Sequence, residues 1–470
     1  MVSTIERPAA EPPVAQPTME PRLAPGPKGM PVIGSLVDMR REGMIEFYRQ
    51  MWEQYGDIVR LQMGPLVSHL LVEPDYVKYV LSDNKQNYEK GLGFKKLQMT
   101  LGHGLFTAEG DLWRRQRAVM QPTFTPKGIT RFAPDMVEST ERMLKGWEAR
   151  RRKTTEPFNV NSAMMRLAMD IIARTMFGID IGRDAMQAAR AFTYVLETVS
   201  QKSLNMIDIP QWVPTRTNRR FNRAIEVLDD FIYGIIDRRR ANPTEERDLL
   251  GILLAATDPE TGEPMSRRQL RDEVITIFFA GHETTAQAMT WTWYLLAQHP
   301  EIEQRVQEEA DRVLGDRKPT YEDIEKLTYT EMVVKEAMRL YPPVWVFVRD
   351  SLDADEIGGY DISKGSMMIF SQYLTHRHPR YWDDPEKFDP ERFTPEGEKS
   401  RPKFAYFPFG GGPRICIGNN FAMLEAVTAV AMIARGYSID LVPGQDIRPK
   451  MVGTLRPSAP VMVTLEPRKS

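Results

Sequence analysis

Phe409-Gly410-Gly411-Gly412-Pro413-Arg414-Ile415-Cys416-Ile417-Gly418 holds the only cysteine among 470 residues. Three glycines in a row give the backbone access to positive φ and let it pass close to a neighbour. An apolar helical pattern, Phe421 to Ala434, follows. A helix starting just beyond the sulfur would bring orphan N–H groups and positive dipole potential toward Cys416. Both favour a thiolate over a thiol. Against this stands the commoner fate of a lone cysteine, an inert buried residue. Zinc asks for about four ligands, and no partner cysteine exists. A catalytic thiol would need a histidine base, which the sequence leaves open.

The full frame, F-x-x-G-x-R-x-C-x-G, decides between these readings. It resembles the haem-binding signature of the cytochrome P450 family, the haem-thiolate monooxygenases. A single Cys thiolate on haem iron is the one metal arrangement that a lone cysteine supplies in full. The resemblance implies Cys416 as the metal ligand, with Phe409, Arg414 and Gly418 as cofactor-binding neighbours. It implies haem b as cofactor and dioxygen as co-substrate. It also implies a mainly α fold with small β-sheets (α+β), triangular in outline, around a buried haem.

The bulk numbers agree with such an enzyme and exclude other classes. Net charge is −2, so no global field draws the chain to nucleic acid or an anionic membrane. One cysteine allows no intrachain disulfide framework and favours a reducing compartment. No apolar run approaches the roughly 18–20 residues of a transmembrane helix, and no basic-then-apolar signal opens the chain. A soluble, cytoplasmic, bacterial-type monomer without a membrane anchor is expected. Length alone suggests about three domains, yet no interior linker separates them. Residues 25–470 are therefore read as one domain after a disordered leader, 1–24, rich in Pro, Ala and Glu. Pro25 to Gly34 resembles the proline-rich hinge that follows the anchor in eukaryotic members of the family.

Along the chain, Met44 to Tyr55 has helical spacing, and Asp57 to Met63 alternates as a half-buried strand. Gly64-Pro65 turns it into a second strand, Leu66 to Val72. Pro74 to Leu81 reads as a short helix, and residues 86–106 as an irregular functional loop. Leu112 opens a helix on which Trp113 and Arg117, four apart, share a face. Amphipathic helices are expected near 130–150, 160–177, 184–202 and 219–239. Residues 204–214 break the pattern, and Arg238-Arg239-Arg240 reads as a solvated helix end. The resemblance implies that Trp113 and Arg117 bind a haem propionate, that His103 reaches the haem edge, and that residues 190–240 form a lid over substrate.

Asp272 to Gln298 is the longest helical candidate, about 27 residues or ~40 Å. It is apolar nearly all round through Phe278-Phe279, so it should cross the interior. Polar residues then interrupt it at Gly281-His282-Glu283-Thr284-Thr285. A mid-helix glycine costs about 1 kcal/mol relative to Ala, and buried charge costs more unless paired. Local violations of this kind mark functional sites, although a kink with Thr bonding back to a carbonyl would look the same. The stretch resembles the family's acid–alcohol motif. By that likeness Glu283 and Thr284 relay protons to dioxygen at the haem, and Gly281 leaves room beside it.

Glu336 and Arg339, three apart on a helix from Tyr329 to Leu340, form a pair that any helix can carry. With Arg392 in Phe388 to Phe393 they resemble the family's Glu–Arg–Arg support of the haem pocket. Pro342-Pro343 stops that helix, and the extended segment beyond it brings Arg349, which the resemblance assigns to a propionate. Val452 to Leu455 reads as a hairpin tip returning to the pocket. Phe94, Phe278, Phe279, Val344, Trp345, Phe347 and Leu455 are apolar pocket candidates, which favours a lipophilic substrate such as a fatty acid, alkane, terpenoid or steroid. Lys95 and Lys96 could meet a substrate carboxylate at the entrance. No reductase domain follows Cys416, so electrons from NAD(P)H are expected through a ferredoxin and ferredoxin reductase, or a flavodoxin, docking on Arg114, Arg115 and Lys403. The competing functional readings are a peroxygenase or isomerase on the same scaffold, and a haem-based sensor or lipophile-binding protein.

Overall fold

The interior helix runs Arg267–Leu296, starting ahead of its apolar stretch because Ser266 caps it. The Ser266 hydroxyl accepts the Gln269 N–H at 3.1 Å, which satisfies one of the orphan donors of the first turn. Nearly every residue from Leu270 to Phe279 is buried. Val160–Phe177 and Asn419–Gly436 pack beside it, and their apolar faces merge into the largest core of the protein. Phe278 sits between Phe177 and Phe231, ring centres 5.8 and 5.3 Å away. Phe279 stacks on Phe192 at 3.7 Å. The computed structural model describes residues 22–30, 32–180, 182–203, 209–243, 248–257 and 262–468.

A five-stranded sheet flanks this helical body. Ile58–Met63 pairs antiparallel with Leu66–Leu71, which runs parallel to Met367–Phe370. Phe347–Ser351 and Tyr88–Glu89 complete it by antiparallel pairing. A three-stranded sheet joins Phe158–Asn159, Met462–Pro467 and Tyr437–Leu441. A separate hairpin, Pro449–Val452 with Thr454–Pro457, turns at Gly453, whose φ of +73° suits glycine. The mainly helical α+β expectation holds. Met44–Tyr55, Val160–Phe177, Arg183–Ser203, Arg216–Ala241 and Thr328–Leu340 lie where periodicity places them, within a few residues.

Three readings need correction. Residues 86–106 are not an irregular loop: after the short strand Tyr88–Glu89 comes a helix, Gly91–Leu101, ended by Gly102 at φ +63°. Two early glycines suggested a loop, but no proline interrupts the segment. Pro74–Lys78 is helical, yet Tyr79–Asp83 winds into a wider π turn. Arg239 is not solvated. It grips both oxygens of the buried Asp248 at 2.7 and 2.6 Å and the Phe177 carbonyl at 2.8 Å. The leader to residue 21 and residues 204–208 of the expected break lie outside the described residues, as do the side chains of Lys95 and Lys96.

Candidate active site

The glycines before Cys416 are dictated by close approach. A Cβ on Gly411 would stand 2.2 Å from Phe404 Cε1, and one on Gly412 only 1.9 Å from the Leu81 carbonyl oxygen. Gly410 and Gly412 also take φ of +71° and +64°. The loop closes when the Cys416 N–H donates to the Phe409 carbonyl at 2.9 Å. Gly418 caps the helix Asn419–Gly436 directly after it.

Cys416 has accessible surface, yet burial pushes its thiol up from the usual range. The two facts agree if the sulfur opens on a hollow inside the molecule and not on its outer surface. The Gly418 N–H and Arg117 pull the thiol down, but burial wins. Across the interior helix the same signature recurs. Ala280 is exposed, and Gly281 and Thr284 are part-open, inside an otherwise buried run.

Four cations gather near the cysteine loop. Arg117 donates to the Ile415 carbonyl at 2.8 Å. Arg414 lies 3.8 Å above the Trp113 ring, donates to the Ala108 carbonyl at 2.9 Å and pairs with Glu109. Arg349 donates to the Val348 carbonyl at 2.7 Å and lies 5.3 Å from the Phe347 ring centre, and burial lowers it to about 10. Lys90 is the residue that the sequence did not single out. Its Nζ donates to the carbonyls of Phe106 and Ala108 at 2.6 and 3.3 Å. Burial first, and then Arg414, Arg349 and Arg117, bring it down to about 7. Among the described residues neither Lys90, Arg117 nor Arg349 pairs with a carboxylate. Positive charge in this excess, drawn partly or wholly out of water, calls for an anionic group.

On the interior helix, Thr284 Oγ1 donates to the Ala280 carbonyl at 2.7 Å. Glu283, 2% exposed, is held by Arg456 at 2.5 and 2.9 Å and by Thr454. Neither partner was foreseen. A Cβ on Gly281 would meet Ile172 Cδ1 at 2.6 Å, so this glycine admits the neighbouring helix. His282 is buried, and burial lowers it to about 4 against the upward pull of the Met165 backbone. His103 is exposed, and its backbone N–H donates to Asp272 at 2.8 Å. Phe278, Phe279, Trp345 and Leu455 are too deeply packed to line any hollow, which leaves Phe94, Val344 and Phe347 as the open apolar candidates.

The support network closes as expected. Arg339 forks onto Glu336 at 2.6 and 2.8 Å, and Arg392 Nε stands 3.5 Å from the same carboxylate. Elsewhere, Asp57, Glu73 and His378 bring ligand-type atoms within 4.8 Å of one another. Arg380 already pairs with both carboxylates, at 3.2 and 2.5 Å, and fills the place of a cation.

A one-sulfur loop beside a cluster of cations, and an interior helix that carries an acid and an alcohol side by side, fit a haem-thiolate enzyme. The chain belongs to the cytochrome P450 family, whose model matches residues 24–465, and it is a cytochrome P450 monooxygenase. It is similar to cyclooctatin synthase of Streptomyces melanosporofaciens, 36% identical over 95% of each chain. It is also similar to cyclooctat-9-en-7-ol 5-monooxygenase of the same organism, 33% identical over 89% of this chain and 90% of the relative. The chloroplastic protein LUTEIN DEFICIENT 5 of Arabidopsis thaliana is 34% identical over 89% of this chain and 73% of its own. Among the described residues no helix is long and apolar enough to cross a membrane.

Proposed function

We propose that the chain holds haem b through Cys416 and inserts one atom of dioxygen into a lipophilic molecule of the terpenoid class, by hydroxylation or epoxidation. One observation carries the reading: the lone cysteine of a glycine loop stands beside Arg117, Arg349 and Lys90, cations drawn partly or wholly out of water that pair with no carboxylate among the described residues. Haem fits this set, because its two propionates are anions for Arg117, Arg349 and Lys90, which pair with no carboxylate among the described residues, with Arg414 beside them already on Glu109. When bound, it supplies the dioxygen activation that no side chain can perform, with the thiolate as electron-rich axial ligand.

The protein's own part is binding, orientation and proton handling. Trp113 spaces Arg117 from Arg414, their guanidinium carbons 5.9 and 3.8 Å from its ring. Phe409 and Gly418 fix the backbone around the sulfur through the Phe409 carbonyl and the Gly418 N–H. On the facing helix, Glu283 holds and passes protons, and Thr284 directs them by keeping its own hydrogen on the Ala280 carbonyl. Gly281 lets the helix sit close to Ile172 and so sets the depth of that wall.

The substrate class rests on two supports. Phe94, Val344 and Phe347 are apolar and open, and one similar protein is named for oxidising a cyclic unsaturated alcohol. Electrons from NAD(P)H arrive through a ferredoxin and its reductase, or a flavodoxin. Arg114, Arg115 and Lys403 are exposed at the surface for such docking, Arg114 in an ion pair with Asp111. Residues 25–470 act as one domain in the cytoplasm, after a leader.

Cys416→Ser tests the ligand directly. The variant should lose the thiolate-type spectrum of the carbon monoxide complex, and its retention would sink the assignment. In parallel, wild-type enzyme with a surrogate ferredoxin system should form oxygenated product from cyclic terpenoid alcohols. Turnover of fatty acids alone would reject the substrate class.

A further inference from the structure

Among the described residues, the bonds that Glu283 accepts from Thr454 and Arg456 all meet one oxygen. Thr454 Oγ1, Arg456 Nε and Arg456 Nη2 all donate to its Oε1, and Oε2 accepts none of these bonds. Both donor residues belong to Thr454–Pro457, the second strand of the C-terminal hairpin. That strand is pinned between them. Trp291 Nε1 of the interior helix donates to the Leu455 carbonyl at 2.9 Å, and the Leu455 N–H donates to the Pro343 carbonyl at 2.9 Å. A Cβ added at the turn residue Gly453 would come within 3.6 Å of Leu196 Cδ1 on the helix Arg183–Ser203. Hydrogen bonds therefore tie the interior helix, the hairpin strand and the acid to one another.

We infer that Arg456 is a positioning residue for proton supply, and that the C-terminal hairpin is the platform that aims Glu283. The inference rests on the reading of Glu283 as the proton-handling acid. A buried carboxyl free to rotate about its last bond would have to be reordered in every turnover, and small misplacements of such groups cost rate steeply. Charge-assisted bonds to one oxygen fix the carboxyl plane and leave Oε2 as the oxygen that takes and gives up a proton. A guanidinium suits the task because it keeps its own protons throughout. Glu197 also faces Arg456, but at 3.9 Å and with its side chain 44% exposed. Such a contact is weak and screened, so Glu197 stands outside the device.

The test uses haem-loaded wild type and the variants Arg456→Lys, Arg456→Gln, Glu283→Gln, Glu197→Gln and the Glu283→Gln/Arg456→Gln double. Three quantities are read: product per NAD(P)H consumed, the solvent deuterium isotope effect, and the melting temperature. Arg456→Gln should lower the product yield about tenfold or more and enlarge the isotope effect. Arg456→Lys should restore most of both, Glu197→Gln should stay within about twofold of wild type, and the double variant should be no worse than Glu283→Gln. The melting losses of the two single variants should be non-additive, a readout independent of turnover. Wild-type yield and isotope effect in Arg456→Gln, alongside a damaged Glu283→Gln, would overturn the inference and leave the acid's role standing. An undamaged Glu283→Gln would instead remove the underlying reading. Additive melting losses would also overturn the inference.

Discussion

Arg339→Ala is the most informative perturbation outside the cysteine loop. Arg339 and Glu336 have no exposed side-chain surface. Beyond its fork onto Glu336, Arg339 donates to the carbonyls of His376 at 2.9 Å, Pro385 at 2.7 Å and Lys387 at 3.0 Å. Glu336 also accepts the Asp389 N–H at 3.0 Å. Removing one member of a buried pair costs about 3–5 kcal/mol. Each carbonyl left without its donor adds about 1 kcal/mol. The total is comparable with the whole stability of an ordinary domain, about 5–15 kcal/mol. The damage also has a direction. His376 Nε2 accepts the Phe407 N–H at 2.9 Å, so a shifted His376 segment loosens the chain just before the cysteine loop. Soluble yield, melting temperature and the spectrum of the carbon monoxide complex should all fall in Arg339→Ala. Arg339→Lys should rescue only in part, because it keeps the charge and loses the fork. Melting within about 2 °C of wild type, with the full thiolate spectrum, would refute the argument.

Further outcomes follow from other sites. Burial pushes the Glu273 carboxyl up to about 8, so the folded protein keeps a proton there that the unfolded chain sheds near pH ~4.3. Stability should therefore fall as pH rises between about 5 and 8, and Glu273→Gln should flatten that slope in denaturant titrations. Gly412→Ala meets the Leu81 carbonyl, whereas Gly410→Ala meets nothing within 4 Å. Gly410→Ala should cost about 1–2 kcal/mol of backbone strain, while Gly412→Ala should largely abolish thiolate-type spectra. Arg117→Leu and Arg349→Leu should each lower the ratio of haem to protein absorbance, more so together. Equal ratios in all three would remove these residues from cofactor binding.

Legibility in the sequence followed locality. The cysteine loop was readable because its glycines, arginine and sulfur are neighbours in the chain, and the helices because their apolar spacing repeats. The Glu336–Arg339 pair was visible as i, i+3, and Arg392 followed from a second local motif. Lys90 was not, since its meaning comes from Arg117, Arg349 and Arg414 arriving from three other segments. Thr454 and Arg456 were hidden for the same reason. The hairpin tip was seen, but not which residue it would reach. Apolar character misled in the opposite way: Phe278 and Trp345 are as greasy as a substrate wall requires, yet they are spent on core packing. The helix Gly91–Leu101 was missed because its two glycines weigh against a helix locally, and its contacts outweigh them.

The seat of Gly412 against the Leu81 carbonyl carries a consequence for the order of assembly. The cysteine's cradle has one wall from the first fifth of the chain and the other from its last fifth. Contacts so distant in sequence form late, after the local helices and hairpins. A partly synthesised chain thus has no complete cradle to offer, however well its early elements have formed. Cofactor capture then reports that the whole polypeptide has arrived, a form of quality control written into one missing methyl group.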